Sequence, residues 1–235
     1  MDKQKLIESL RGGLVVSCQA LMEEPLHSSF IMSKMALAGQ RGGAIGIRAN
    51  GIEDIKAIKQ EVQLPVIGIV KREYPDSPIF ITATMKEVSE VVEAGAEIIA
   101  MDGTNRVRPN GKSLEELYLN IRKEYPTVLL MADISTVEEG IRASELGFDL
   151  IATTLSGYTD DTKDIPLPNT ELVKSLSEQL DTPIMAEGGY WTLEDVEQAL
   201  TSGAHGCIIG SAITRPMEIT KRFVAKMSKV NSSME

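Results

Sequence analysis

Eight short runs of apolar, often β-branched residues recur along the chain, at 13–19, 44–48, 65–71, 97–103, 127–134, 149–155, 183–189 and 206–212. Each is nearly continuous rather than alternating, which is the pattern of a parallel strand covered on both faces. Amphipathic segments separate them. KEVSEVVEAG, from Lys86, places apolar residues at 88, 91 and 92 and stops at Gly95; VEEGIRASELG, from Val137, turns Ile141, Ala143 and Leu146 to one face and stops at Gly147; LEDVEQAL, from Leu193, ends ahead of Gly203. A glycine just past the last apolar position is a helix stop. Strand–helix units that repeat without a linker predict an α/β protein, a (β/α)8 TIM barrel in one domain over 1–235, with an N-terminal helix within 1–12 and a frayed tail over 230–235. The competing doubly wound sheet usually has fewer strands and carries its phosphate glycines after the first strand. Here the first run is followed by QALMEEP, which has none.

Composition narrows the function. The chain has 235 residues, 43% of them apolar, and 24 basic against 34 acidic residues give a net charge of −10. An acidic surface argues against a nucleic-acid or anionic-membrane partner, though not against a local basic pocket. Cys18 and Cys207 lie in apolar runs and read as packing residues. No signal-like segment opens the sequence and no apolar stretch reaches the length of a membrane span, so a cytoplasmic location is expected. The only histidines are His27 and His205, too few for a His-rich metal centre. No dinucleotide or nucleotide-phosphate glycine loop follows a strand. Asp102 and Asp133 could still hold Mg²⁺, though no close-spaced carboxylate pair points to it, and redox cofactors and nucleotide hydrolysis are not expected.

In a barrel of this type the chemistry sits at the C-terminal ends of the strands, and the loops after strands seven and eight commonly bind phosphate. Polar residues close the odd-numbered runs: Gln19, Lys71, Asp133 and Glu187. Strands three and seven are opposite in a ring of eight, so Lys71 and Glu187 are expected to face each other across the mouth. An enclosed amine has its pKa lowered and becomes a usable base, and an enclosed carboxyl can hold a proton and act as an acid. Such a pair suits inversion at a carbon by removing a proton from one face and returning one to the other. Gly188 and Gly189 after the seventh run, and Gly210, Ser211 and Arg215 after the eighth, offer backbone N–H groups, a hydroxyl and a guanidinium to one anion. Plainer readings stand beside these. Lys71 is also a reasonable surface or phosphate-contacting charge, Glu187 a loop-orienting group, and Asp133 a helix N-cap, a role that Ser135 or Thr136 can also fill. Arg48, closing the second run, has Asp102 as a candidate ion-pair partner. A Schiff-base lyase using Lys71, or a phosphosugar binder without catalysis, are the rival functions.

With these residues quoted, the chain resembles the bacterial N-acetylmannosamine-6-phosphate 2-epimerases of sialic acid catabolism. The resemblance is carried by GLVVSCQA, GAIGIRA, PVIGIVKREY, IIAMDGT, MADIST, TTLSGYT, AEGGY and IGSAITRP. These stretches cover all eight units. The family is similar to other phosphate-binding barrels in its last two strands, so VKREY with TTLSGY discriminates best. The resemblance implies cofactor-independent interconversion of N-acetylmannosamine 6-phosphate and N-acetylglucosamine 6-phosphate, with Lys71 and Glu187 as the proton-transfer pair. It puts Gln19, Arg48 and Asp133 at substrate-contacting positions and Gly188, Gly189, Gly210, Ser211 and Arg215 at the phosphate end. Apolar residues at 213, 217, 219, 223, 224 and 227 occupy more than one face of the last helix, which suggests a homodimer. Whether Tyr74 closes over the site is left open.

Overall fold

The computed structural model describes residues 2–233. Its eight strands are β1 (Leu14–Cys18), β2 (Gly46–Asn50), β3 (Val66–Ile69), β4 (Ile98–Asp102), β5 (Leu129–Asp133), β6 (Leu150–Ala152), β7 (Ile184–Glu187) and β8 (Gly206–Ile209). They pair in sequence order, all parallel, and β1 closes on β8 with Val15 opposite Ile208. The fold is a single-domain TIM barrel. The helices are α1 (Lys3–Glu8), α2 (Ser29–Arg41), α3 (Ile52–Glu61), α4 (Met85–Ala94), α5 (Leu114–Glu124), α6 (Val137–Leu146), α7 (Thr170–Gln179), α8 (Leu193–Thr201), α9 (Ser211–Thr214) and α10 (Pro216–Ser232).

Local chemistry sets the helix limits. Thr84 with Glu87, Ser113 with Glu116, Thr136 with Glu139 and Thr192 with Asp195 form capping boxes at α4, α5, α6 and α8. In each, the hydroxyl and the carboxylate satisfy otherwise orphaned amides. Thr136 takes the cap of α6, so Asp133 is free for another role. Gly95 and Gly147 end α4 and α6 in the left-handed region, at φ 88° and 95°, where a side chain is strained.

Continuous apolar strands produce two cores. Inside the barrel, Ile67, Ile69, Ile98, Met131, Met185 and Ile208 pack together, and Leu6, Ile7 and Leu10 from α1 and the residues after it close the base. Outside, the other face of each strand packs against the helices. His205 lies at the base, with Nε2 2.8 Å from the Ile7 carbonyl oxygen, far from the strand ends where the chemistry is expected.

α10 runs to Ser232; of the tail over 230–235, residues 234–235 lie outside the described residues. One expectation is corrected. Arg48 does not pair with Asp102, whose carboxylate accepts from Arg106 at 2.5 Å. The second ladder runs to Asn50, two residues past the end of the apolar run, so Arg48 sits deeper than a strand-end residue.

Candidate active site

A cavity of about 430 Å³ opens at the C-terminal end of the barrel. Gln19, Lys71, Glu187, Gly188, Gly189, Gly210, Ser211 and Arg215 all line it. Arg48 and Asp133 do not. They lie beneath its floor, 1% and 0% exposed. Tyr74 is not on the cavity wall either; its hydroxyl donates to Glu87 Oε1 at 2.7 Å.

Lys71 lies two residues past the end of β3. Its backbone N–H donates to the Asn50 side chain at 2.8 Å and the residue bridges to Ile81, which fixes the stem of the amine. Burial, with the Arg48 guanidinium nearby, lowers the Lys71 pKa to about 8, while the Glu187 and Asp133 carboxylates oppose this. An amine with that pKa is partly neutral near physiological pH and can accept a proton.

Glu187 ends β7 opposite Lys71. Its backbone is tied to β6 by a reciprocal pair: Thr153 Oγ1 donates to the Glu187 carbonyl at 2.9 Å and accepts from the Glu187 N–H at 3.1 Å. Below the floor, Arg48 holds Asp133 in a fork, with Nη1–Oδ1 at 3.0 Å and Nη2–Oδ2 at 2.5 Å. Arg48 Nη1 also donates to Glu187 Oε2. Burial raises the Glu187 pKa to about 7; Arg48 opposes the rise and Asp133 adds to it. One guanidinium facing two buried carboxylates cannot neutralise both, which favours a proton on one of them.

Beside Glu187, one wall of the cavity presents backbone amides. The backbone N–H groups of Gly188, Gly189, Gly210 and Ser211 donate to no protein acceptor among the described residues. Gly188 and Gly189 take φ of 106° and 79°, and a Cβ on Gly189 would meet Leu167 Cβ at 2.5 Å. Only glycine lets the backbone lie there. Arg215 is held by Glu24, Nη2–Oε1 at 2.7 Å and Nε–Oε2 at 3.1 Å, with part of its guanidinium left for a ligand. Gln19 Nε2 donates to Ser17 Oγ at 2.9 Å, while Oε1 is buried with no partner. That orphaned acceptor calls for a donor on whatever occupies the cavity.

Several residues here escaped the sequence reading. Thr154 contacts Arg48, Asp133 and Glu187 at once. It lies in TTLSGY, noted as discriminating, but a threonine after a strand has no signature of a site. Phe80, Leu155, Tyr158, Tyr190 and Trp191 complete the walls; aromatic residues scattered over three loops show no spacing to read. Glu24 pairs with Arg215 across 191 positions, a contact only the closed barrel creates. Among the described residues, no group of three or more His, Cys, Asp or Glu side chains converges as a metal-ligand set. No helix among them is long and apolar enough to cross a membrane.

Comparison with known proteins agrees with this geometry. A family model described as "NanE: Putative N-acetylmannosamine-6-phosphate epimerase" matches residues 32–229. Two similar relatives carry the name "Putative N-acetylmannosamine-6-phosphate 2-epimerase". The one from Caldanaerobacter subterraneus subsp. tengcongensis is 54% identical over 219 residues, 93% of this chain and 92% of the relative. The one from Listeria welshimeri is 54% identical over 224 residues, 94% and 95% of the two chains. Among solved structures, the N-acetylmannosamine-6-phosphate 2-epimerase from Clostridium perfringens superposes with a TM-score of 0.90 at 49% identity, covering 94% of this chain and 95% of its own. A thiamine phosphate pyrophosphorylase from Pyrococcus furiosus, with a TM-score of 0.60 at 18% identity, shares the fold alone.

Proposed function

The chain belongs to the N-acetylmannosamine-6-phosphate epimerase family, and on that premise we propose that it interconverts N-acetylmannosamine 6-phosphate and N-acetylglucosamine 6-phosphate in N-acetylneuraminate degradation. The observation that carries this reading is the meeting of Lys71 and Glu187 on one cavity, the amine shifted down and the carboxyl shifted up towards neutrality. C2 of the open-chain sugar lies beside an aldehyde, so its hydrogen is acidic. Neutral Lys71 takes that proton, the C–H electron pair passes into an enolate, and protonated Glu187 returns a proton to the other face. The reverse direction exchanges the two roles. Glycine amides, Ser211 and Arg215 hold the phosphate and supply binding energy away from the reacting carbon. Gln19 Oε1 accepts from a substrate N–H or O–H. Arg48 and Asp133 orient Glu187 from below. No step calls on a metal or an organic cofactor.

The test is an NMR assay in D₂O with N-acetylmannosamine 6-phosphate. Deuterium is expected at C2 of both epimers; turnover without exchange at C2 rules the mechanism out. A lowered lysine pKa also suits a Schiff-base nucleophile, and borohydride trapping of a covalent adduct would favour that rival. A charged phosphosugar does not cross membranes unaided, which supports a cytoplasmic enzyme.

We further propose a homodimer. None of the α10 residues is buried, and Phe223, Val224, Met227 and Val230 are all exposed. Beside α8 runs an apolar groove of about 500 Å³, lined by Leu14, Leu193, Val196, Leu200, Cys207 and Ile213. In a regular barrel the helix after the eighth strand packs over that part of the sheet. Here α10 leaves the slot open while its own apolar residues stay uncovered, which supports an exchange of α10 between two copies. Light scattering on the full chain is expected to give twice the chain mass; a monomer at micromolar concentration refutes the exchange.

A further inference from the structure

One hydroxyl on the cavity wall has more acceptors than hydrogens. Thr154 Oγ1 lies 2.7 Å from Asp133 Oδ1 and 2.9 Å from Glu187 Oε2, and Arg48 Nη1 reaches it at 3.3 Å. A threonine hydroxyl has one hydrogen and two lone pairs. Arg48 Nη1 has only two hydrogens for Asp133 Oδ1, Glu187 Oε2 and this hydroxyl, so its contact to Thr154 is a shared one, and the single hydroxyl hydrogen serves one carboxylate at a time. Asp133 does not depend on it, because two Arg48 N–H groups already hold its two oxygens. Glu187 Oε2 receives one N–H from Arg48 and has only Thr154 besides. Glu187 Oε1 has no hydrogen-bond partner among the described residues, and Glu187 lines the cavity. Oε1 is therefore the oxygen that carries a transferable proton, and Oε2 is where the remaining charge is held.

We propose that Thr154 is a positioning residue for proton transfer, its hydroxyl hydrogen directed to Asp133 while Glu187 is protonated and turning to Glu187 Oε2 when that proton leaves. This rests on the reading of Glu187 as the acid. In the transfer the Oε1–H bond breaks, the proton goes to the C2 carbanion, and the electron pair stays on the carboxylate. No bond to Thr154 breaks; its O–H rotates. Asp133 gives up one of three hydrogen bonds, and the new Glu187 anion gains a second charge-assisted one. Because Thr153 clamps the Glu187 backbone, this rotation is the small movable part of a fixed cluster.

The groups that face Glu187 are Arg48 from β2, Lys71 after β3, Asp133 from β5 and Tyr158 from the loop after β6, and all remain in the test. The full chain is labelled with ¹³C at the glutamate carboxyls and titrated by NMR, with Glu187→Gln identifying the resonance. In Thr154→Val the Glu187 midpoint is expected to rise by about one pH unit, the worth of one lost hydrogen bond to the ionised form. Thr154→Ser is expected to restore it. In the same variants the rising limb of the kcat/KM profile is expected to move to higher pH in Thr154→Val, with the Glu187 midpoint, and to return in Thr154→Ser. An unchanged or lowered midpoint in Thr154→Val, or a raised one in Thr154→Ser, overturns the proposal. Should Thr154→Val not fold, Thr154→Ala answers the same question. The titration needs no turnover, so its failure leaves the epimerase reading standing, and a wild type without epimerase activity fails that reading without touching the titration.

Discussion

Turnover should follow a narrow bell in pH, and its shape comes from two pKa values set by burial. The proposed active form has Lys71 neutral and Glu187 protonated. With Lys71 near 8 and Glu187 near 7, the ammonium–carboxylate pair with the same proton count is about ten times more abundant. At pH 7.5 only about 6% of the enzyme would be in the active form, the rest being the ion pair or a form with one proton more or fewer. The active form and the ion pair rise and fall together. The profile of kcat/KM therefore climbs through about pH 7, peaks near 7.5 and falls through about 8. Initial rates from NMR, at substrate well below KM in constant-ionic-strength buffers between pH 5.5 and 9.5, give the curve. Lys71→Arg should abolish it, since a guanidinium is never neutral in this range. A profile flat from 6 to 9, or one that keeps rising beyond 9, would refute the pairing of a shifted amine with a shifted carboxyl.

Other outcomes follow from the same geometry. Lys71→Met should stop turnover yet stabilise the fold. Its folded pKa is depressed, so the burial penalty is full below pH 8 and disappears as pH rises from 8 to 10.5. Relief of at most about 3 kcal/mol should raise the melting temperature by about 5 °C near pH 7, and by less at pH 10. Arg215→Ala should raise KM about 10-fold or more while kcat moves little, read by steady-state kinetics. Gly189→Ala should cost about 1–3 kcal/mol in urea unfolding, since the new methyl meets Leu167 and φ is positive there. Phe223→Asp with Met227→Asp should convert the proposed dimer to a monomer in light scattering, by placing charges on the face proposed to be exchanged.

The barrel was legible because strands buried on both faces leave unbroken apolar runs, and because glycines recur just after several helices. The cavity residues were legible where a polar side chain closes such a run, as at Lys71 and Glu187. Arg48 shows where that rule fails. A charged residue ends the apolar run, but the hydrogen-bonded ladder continues through Ala49 and Asn50, so Arg48 lies below the cavity rather than at its rim. Thr154 was hidden for a different reason. Its importance lies in three contacts brought together from β2, β5 and β7, and neither its type nor its neighbours announce them. The Glu24–Arg215 pair is likewise a product of ring closure.

The stopper formed by α1 has a kinetic consequence. With Leu6, Ile7 and Leu10 sealing the base and His205 fastened beneath them, the barrel is a blind well with a single doorway. Sugar that enters and sugar that leaves must pass the same rim of Tyr158 and Trp191, and neither epimer has a back exit. Each epimer therefore competes with the other for the same entrance.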